Sequence, residues 1–242
     1  MSVPDVLTPA VPTTRVGRAA ALTVRTFLVL AGLLMSGLLP EALVGFPLDV
    51  RSTYVSELMA ADQPHGFLVR VIDGTGAALV LAALVVLVAA HGLPAHWFGW
   101  AVAGSLLVLA VATVGDDVAR LDCGISRPAC IALEEAGDVS FMHTIHGVTS
   151  TVAGFAAFAL AVVVLVGRGR TWRAPAAWPV LVPAAVLLGT SGVVAAVGLL
   201  GGEPWGLVQR LQLLCVAMLV ATSGRHLLEP EPPRAQPRDE RP

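Results

Sequence analysis

The stretch from His65 to Ala90 reads HGFLVRVIDGTGAALVLAALVVLVAA. After its first turns it is an unbroken apolar run, and about 20 such residues cross the hydrocarbon core of a bilayer as a helix. The run predicts a membrane span. Its opening turns raise a question, because Arg70 and Asp73 stand at the mouth of that span, where ionisable groups are costly unless paired or hydrated.

The rest of the chain follows the same reading. Runs of comparable length occur at about residues 26–45, 67–89, 97–115, 141–166, 178–199 and 206–223, predicting an all-α bundle of six transmembrane helices over residues 19–228. Residues 1–18 and 229–242 are rich in proline, arginine and acids without periodicity, and read as disordered tails. The first run sits too far in and lacks a small-residue cleavage site, so it reads as an uncleaved span rather than a signal peptide. Of the 242 residues, 56% are hydrophobic and only 13% charged, which excludes an ordinary soluble domain. The net charge of −2 leaves no basic stripe for nucleic acid. All 15 basic residues are arginine, a bias typical of a GC-rich bacterial coding sequence. Trp97, Trp100, Trp178 and Trp205 fall at ends of apolar runs, where interfacial indoles belong.

Arginine placement predicts the orientation. Arg15, Arg18 and Arg25 precede span one, and Arg168, Arg170 and Arg173 lie between spans four and five. The positive-inside rule puts both places, and both termini, in the cytoplasm of a bacterial plasma membrane. The loop from Asp116 to Asp138 is acidic and falls outside. It contains DCGISRPAC, in which Cys123 and Cys130 read as a short disulfide on the oxidising side, with a metal-binding pair as the rival reading.

The ionisable residues within the spans gather toward the outer ends: Glu41, Arg70, Asp73, Asp116, Asp117, His143, His146 and Arg210. This one-sidedness predicts a polar crater open to the outside above a dry inner half. In FMHTIHGVTSTVAG, His143, His146, Gly147, Ser150 and Gly154 share one helical stripe of small and polar residues, which should face the bundle. GFLVR (Gly66–Arg70) and GLVQR (Gly206–Arg210) each place arginine four residues after a glycine at an outer helix start. A cation is mildly disfavoured at the positive end of a helix dipole, so an anion is expected beside each arginine. That anion is either an internal carboxylate, in a purely structural role, or a bound ligand such as a lipid phosphate or carboxylate. A third reading uses His143 and His146 with Asp116 as a zinc site that activates water. No G-x-S-x-G, H-E-x-x-H or Walker pattern supports the usual hydrolase classes.

Several segments together resemble a known family: YVSELMAADQPHGFLVRVIDGTGA, DDVARLDCGISRPAC, HTIHGVTSTVAG and GLVQRL. They are similar to the prokaryotic membrane family catalogued as domain of unknown function 998, over about residues 26–225. The resemblance implies a six-span membrane protein and brings no established activity. By its pattern the positions of interest are Ser56, Glu57, Arg70, Asp73, Asp116, Cys123, Cys130, His146, Ser150 and Arg210. A looser likeness to the ceramidase and adiponectin-receptor superfamily would cast Ser56, Asp116 and His143 or His146 around zinc. This chain departs from it in having six spans rather than seven, H-x-x-H rather than H-x-x-x-H, and no third intramembrane histidine. The leading expectation is a non-enzymatic or uncharacterised membrane protein whose outward crater binds an anionic lipid headgroup or small ligand through Ser56, Glu57, Arg70, Asp73, Asp116, His146, Ser150 and Arg210. The lipid hydrolase and the structural or assembly protein stand as alternatives.

Overall fold

The computed structural model describes residues 15–94, 96–168, 174–199 and 206–228. These residues form α1 (Arg15–Leu34), α2 (Leu38–Leu43), α3 (Gly66–His91), α4 (Trp97–Val118), α5 (Pro128–Ala136), α6 (Phe141–Arg168), α7 (Trp178–Leu199) and α8 (Gly206–Leu228), with 3-10 turns at Val55–Met59 and Pro175–Ala177. Six of the segments are long and apolar enough to cross a membrane. No strand occurs among the described residues.

The six long helices form a closed ring. Each packs on the next in chain order, and α8 returns to close on α1. Val24, Leu28 and Ala31 of α1, Val80 and Ala83 of α3, Leu106 of α4, Leu160 and Ala161 of α6, Leu181 of α7 and Val220 of α8 share one buried core. Small residues set the closest approach: a Cβ on Gly32 would lie 2.4 Å from the Ala217 carbonyl oxygen of α8. Glycine here lets two backbones meet where lipid gives no hydrophobic drive for helices to associate. Large apolar side chains such as Val29, Leu33, Val85, Val111, Phe155 and Val166 point out of the ring, as a lipid-facing surface requires.

The first span differs from its expected bounds of 26–45. The helix begins by Arg15, inside the segment read as tail, because Gly17, Val24, Leu28 and Ala31 form a buried stripe while Arg15, Arg18 and Arg25 stay exposed. It ends at Leu34, well before residue 45. Gly37 adopts φ +70, a left-handed conformation that breaks the helix, and the chain re-enters as α2 with Glu41 turned inward. The rest of both expected tails, and Arg170, Arg173 and Trp205, lie outside the described residues.

Candidate functional site

The loops at one end of the ring are held together by buried polar groups. Cys123 and Cys130 form a disulfide with a Cα–Cα distance of 5.7 Å, closing the turn that leads into α5. Pro128 starts that helix, and Gly137 in the left-handed conformation ends it. Beneath the loop lies Glu57, 1% exposed. Its Oε1 accepts the Tyr54 N–H at 2.8 Å, and its Oε2 accepts the Ser126 hydroxyl at 2.7 Å and the Ser126 N–H at 3.3 Å. Burial first, and the charge of Glu57 second, push the Tyr54 phenol above its ordinary pKa. Asp122 accepts the Ser140 N–H at 2.6 Å and the Ser140 hydroxyl at 2.8 Å, anchoring the start of α6. The Ser140 amide above all holds the Asp122 carboxyl below its usual range. His143 accepts the Asp122 N–H on Nδ1 at 3.1 Å, so Nε2 carries its proton and donates to Glu134 at 2.8 Å.

The two glycine–arginine segments do the same job at two helix starts. A Cβ on Gly66 would lie 2.7 Å from the Ala60 carbonyl oxygen, and Arg70 Nη1 donates to the Met59 carbonyl at 2.8 Å. A Cβ on Gly206 would lie 2.4 Å from the Thr53 carbonyl oxygen and 2.7 Å from that of Val50. Arg210 Nη1 donates to those same carbonyls at 2.8 and 3.0 Å. In each case glycine admits the loop of residues 49–60 against the helix end, and the arginine one turn on grips its carbonyls. Arg210 also forms a buried two-pronged ion pair with Glu41, its Nε donating to Oε2 at 2.8 Å and its Nη2 to Oε1. The anion expected beside Arg210 is thus internal. Arg70 bonds to Met59 rather than to Asp73, and its charge reaches Asp117. Substituting alanine for Gly206 should push the loop off α8 and cost about 1–3 kcal/mol, as overpacking does. A thermal melt unchanged from the parent protein would contradict this clamp.

Inside the ring at this end is a cavity of about 770 Å³. Five of the expected ligand residues line it: Ser56, Asp73, Asp116, His146 and Ser150. Glu57, Arg70 and Arg210 do not. The α6 stripe of His143, His146, Gly147, Ser150 and Gly154 lines the cavity, and the lining continues to Ala157. That is roughly 20 Å of helix at about 1.5 Å per residue. The deep part is apolar, formed by Leu109, Ala153, Ala157, Leu187 and Val216. Near the loops, Asp116 accepts hydroxyls from Thr149 on one oxygen and from Ser150 on the other, the latter at 2.6 Å. His146 Nδ1 lies 2.8 Å from the Ala119 carbonyl and 3.2 Å from that of Asp116, so it carries the proton and donates. Its Nε2 is buried with no partner among the described residues, as are both Asp117 oxygens. Asp73, Asp116 and Asp117 lie close enough to act on one another electrostatically.

The zinc reading does not find its geometry here. Both ring nitrogens of His143 are engaged, and His143, His146 and Asp116 do not bring three ligand atoms together. Among the described residues the one gathering of three donors within 4.8 Å is Cys123, Cys130 and His143, of which two are joined in the disulfide. Sequence reasoning missed Glu134 as the His143 partner, and Gln209 and Gln212 in the cavity wall. The two glutamines stand three apart on α8, a spacing that puts them on one face. Glu134 had no such signal, because α5 is placed by the disulfide loop.

The family described as "protein of unknown function (DUF998)" matches residues 28–226, and the chain belongs to it. No curated protein and no solved structure matches the chain.

Proposed function

We propose that this DUF998 membrane protein receives a lipid-like amphiphile in the cavity between its helices. The observation that carries this reading is the graded lining of a cavity of about 770 Å³, polar near the loops and apolar at its deep end. A volume of this order suits a small-molecule ligand. Arginine placement supports an orientation with both termini in the cytoplasm of a bacterial plasma membrane, which puts the polar end of the cavity toward the outer face. The arginines favour the fold over the ligand: Arg210 and Arg70 are engaged by Glu41 and by loop carbonyls. An anionic headgroup is therefore the less favoured occupant of this crater.

Glycines on α6 provide the test. A Cβ on Gly147 or Gly154 would meet nothing within 4 Å, and both positions line the cavity. Gly154→Leu should fill the space and lower bound amphiphile about tenfold. The fold should hold, since removing a helix-interior glycine stabilises by about 0.5–1 kcal/mol. Gly104, equally open but outside the lining, is the control. Native mass spectrometry of protein in mild nonionic detergent reads the load. Equal loads in Gly154→Leu and Gly104→Leu would overturn the reading.

A further inference from the structure

We propose that the polar end of this occupant is an organic ammonium group, held by Asp73 with Asp116 and His146 beside it. The inference rests on the cavity being a binding site and adds the chemistry of what enters. Every charged group in the lining is a carboxylate, namely Asp73, Asp116 and Glu134, and no arginine lines the cavity. Glu134 already accepts from His143, and Asp116 already accepts from Thr149 and Ser150. Asp73, a lining residue, has no hydrogen bond or ion pair to another described residue. It is the lining carboxyl group left without a partner.

An independent observation points the same way. His146 is 4% exposed and lines the cavity, and its Nδ1–H is fixed on the Ala119 carbonyl. The tautomer so set leaves Nε2 as an acceptor, and that atom has no donor among the described residues. A buried acceptor without a donor costs free energy that an incoming N–H can recover. The arrangement thus lacks donors and positive charge together, and an ammonium group supplies both. A bare metal ion suits it less well, because Asp73, Asp116 and His146 do not bring their ligand atoms within 4.8 Å of one another. The apolar depth below, ending at Ala157, Leu187 and Val216, takes the hydrocarbon attached to the amine.

Three probes of equal chain length separate this inference from the reading beneath it: dodecylamine, dodecan-1-ol and dodecanoate. They are offered together at equal concentration to the full chain in nonionic detergent at pH 7, and bound masses are read by native mass spectrometry. Dodecylamine should bind at least about tenfold more tightly than dodecanoate, the scale of one charge-assisted contact. Asp73→Asn should abolish that preference while keeping dodecan-1-ol binding, and Asp73→Glu should restore it. Amine and alcohol bound equally, or dodecanoate preferred, would overturn the ammonium assignment and leave the amphiphile reading standing. No probe bound in preference to the detergent control would remove both. The wild-type comparison decides even if Asp73→Asn fails to fold.

Discussion

Methionine in place of Arg210 is expected to destabilise the fold by about 3–5 kcal/mol, the usual cost of stranding one partner of a buried ion pair. Glu41 is 0% exposed, and its two oxygens receive the Nε and Nη2 donors of Arg210. With the guanidinium gone, that carboxylate has no counter-charge and little access to water. The Val50 and Thr53 carbonyls lose their donor as well, so the loop over α8 should loosen along with the α2–α8 contact. Arg210→Lys should not rescue. A single ammonium cannot present a planar fork to Glu41 and at the same time reach the carbonyls of Val50, Thr53 and Gly206. The double variant Glu41→Leu/Arg210→Met should recover most of the loss, since removing both charges leaves neither stranded. Thermal melts in nonionic detergent measure all four proteins. A single Arg210→Met variant as stable as the parent, or a double variant no better than the single, would show that the pair does not hold the fold.

The same residues show where sequence reading succeeds and where it stops. The spans were legible because a bilayer imposes a length and a composition that few other environments demand. The α6 stripe was legible because helical spacing alone puts His146, Gly147, Ser150 and Gly154 on one face, and that face does line the cavity. The likeness between GFLVR and GLVQR was visible too, but not its meaning. Apart from Glu41, those arginines reach carbonyls of residues 50, 53 and 59 in a segment without periodicity, and backbone acceptors leave no trace in residue identity. Arg70 and Asp73 share a helix face, yet three-residue spacing only permits a salt bridge. Here the Met59 carbonyl takes the arginine, and the aspartate lines the cavity instead. The first span ends before its hydropathic bound because hydropathy runs smoothly from α1 into α2, while Gly37 breaks the helix with a positive φ.

Glu57 carries the second large effect. The family resemblance marks Glu57, but no spacing or periodicity in YVSELM distinguishes it from a solvated acid, yet it is 1% exposed and accepts from Tyr54 N–H, Ser126 N–H and the Ser126 hydroxyl. Its place under Gly124 is tight, since a Cβ on that glycine would lie 2.7 Å from Glu57 Oε2. The residue therefore joins two parts of the cavity wall, the 3-10 turn bearing Ser56 and the disulfide loop bearing Ile125. Leucine at this position would strand both backbone donors, at about 1–3 kcal/mol for each donor left without an acceptor. Glutamine keeps the shape but must turn an amide N–H toward one donor or the other, so a loss of about half that size is expected. The Cys123–Cys130 disulfide keeps its own turn closed in either variant, which makes the predicted change local: the loop lifts from the turn without coming apart. Hydrogen exchange reads this directly. The amides of Tyr54 and Ser126 should exchange at least about tenfold faster in Glu57→Leu, as expected when a hydrogen bond that limits local opening is lost. Amides in the halves of α3 and α4 away from this loop should be unchanged. Protection at Ser126 equal to that of the parent would mean that the disulfide loop is held by something other than Glu57. Faster exchange throughout the bundle would mean that Glu57 supports the whole fold rather than this wall of the cavity.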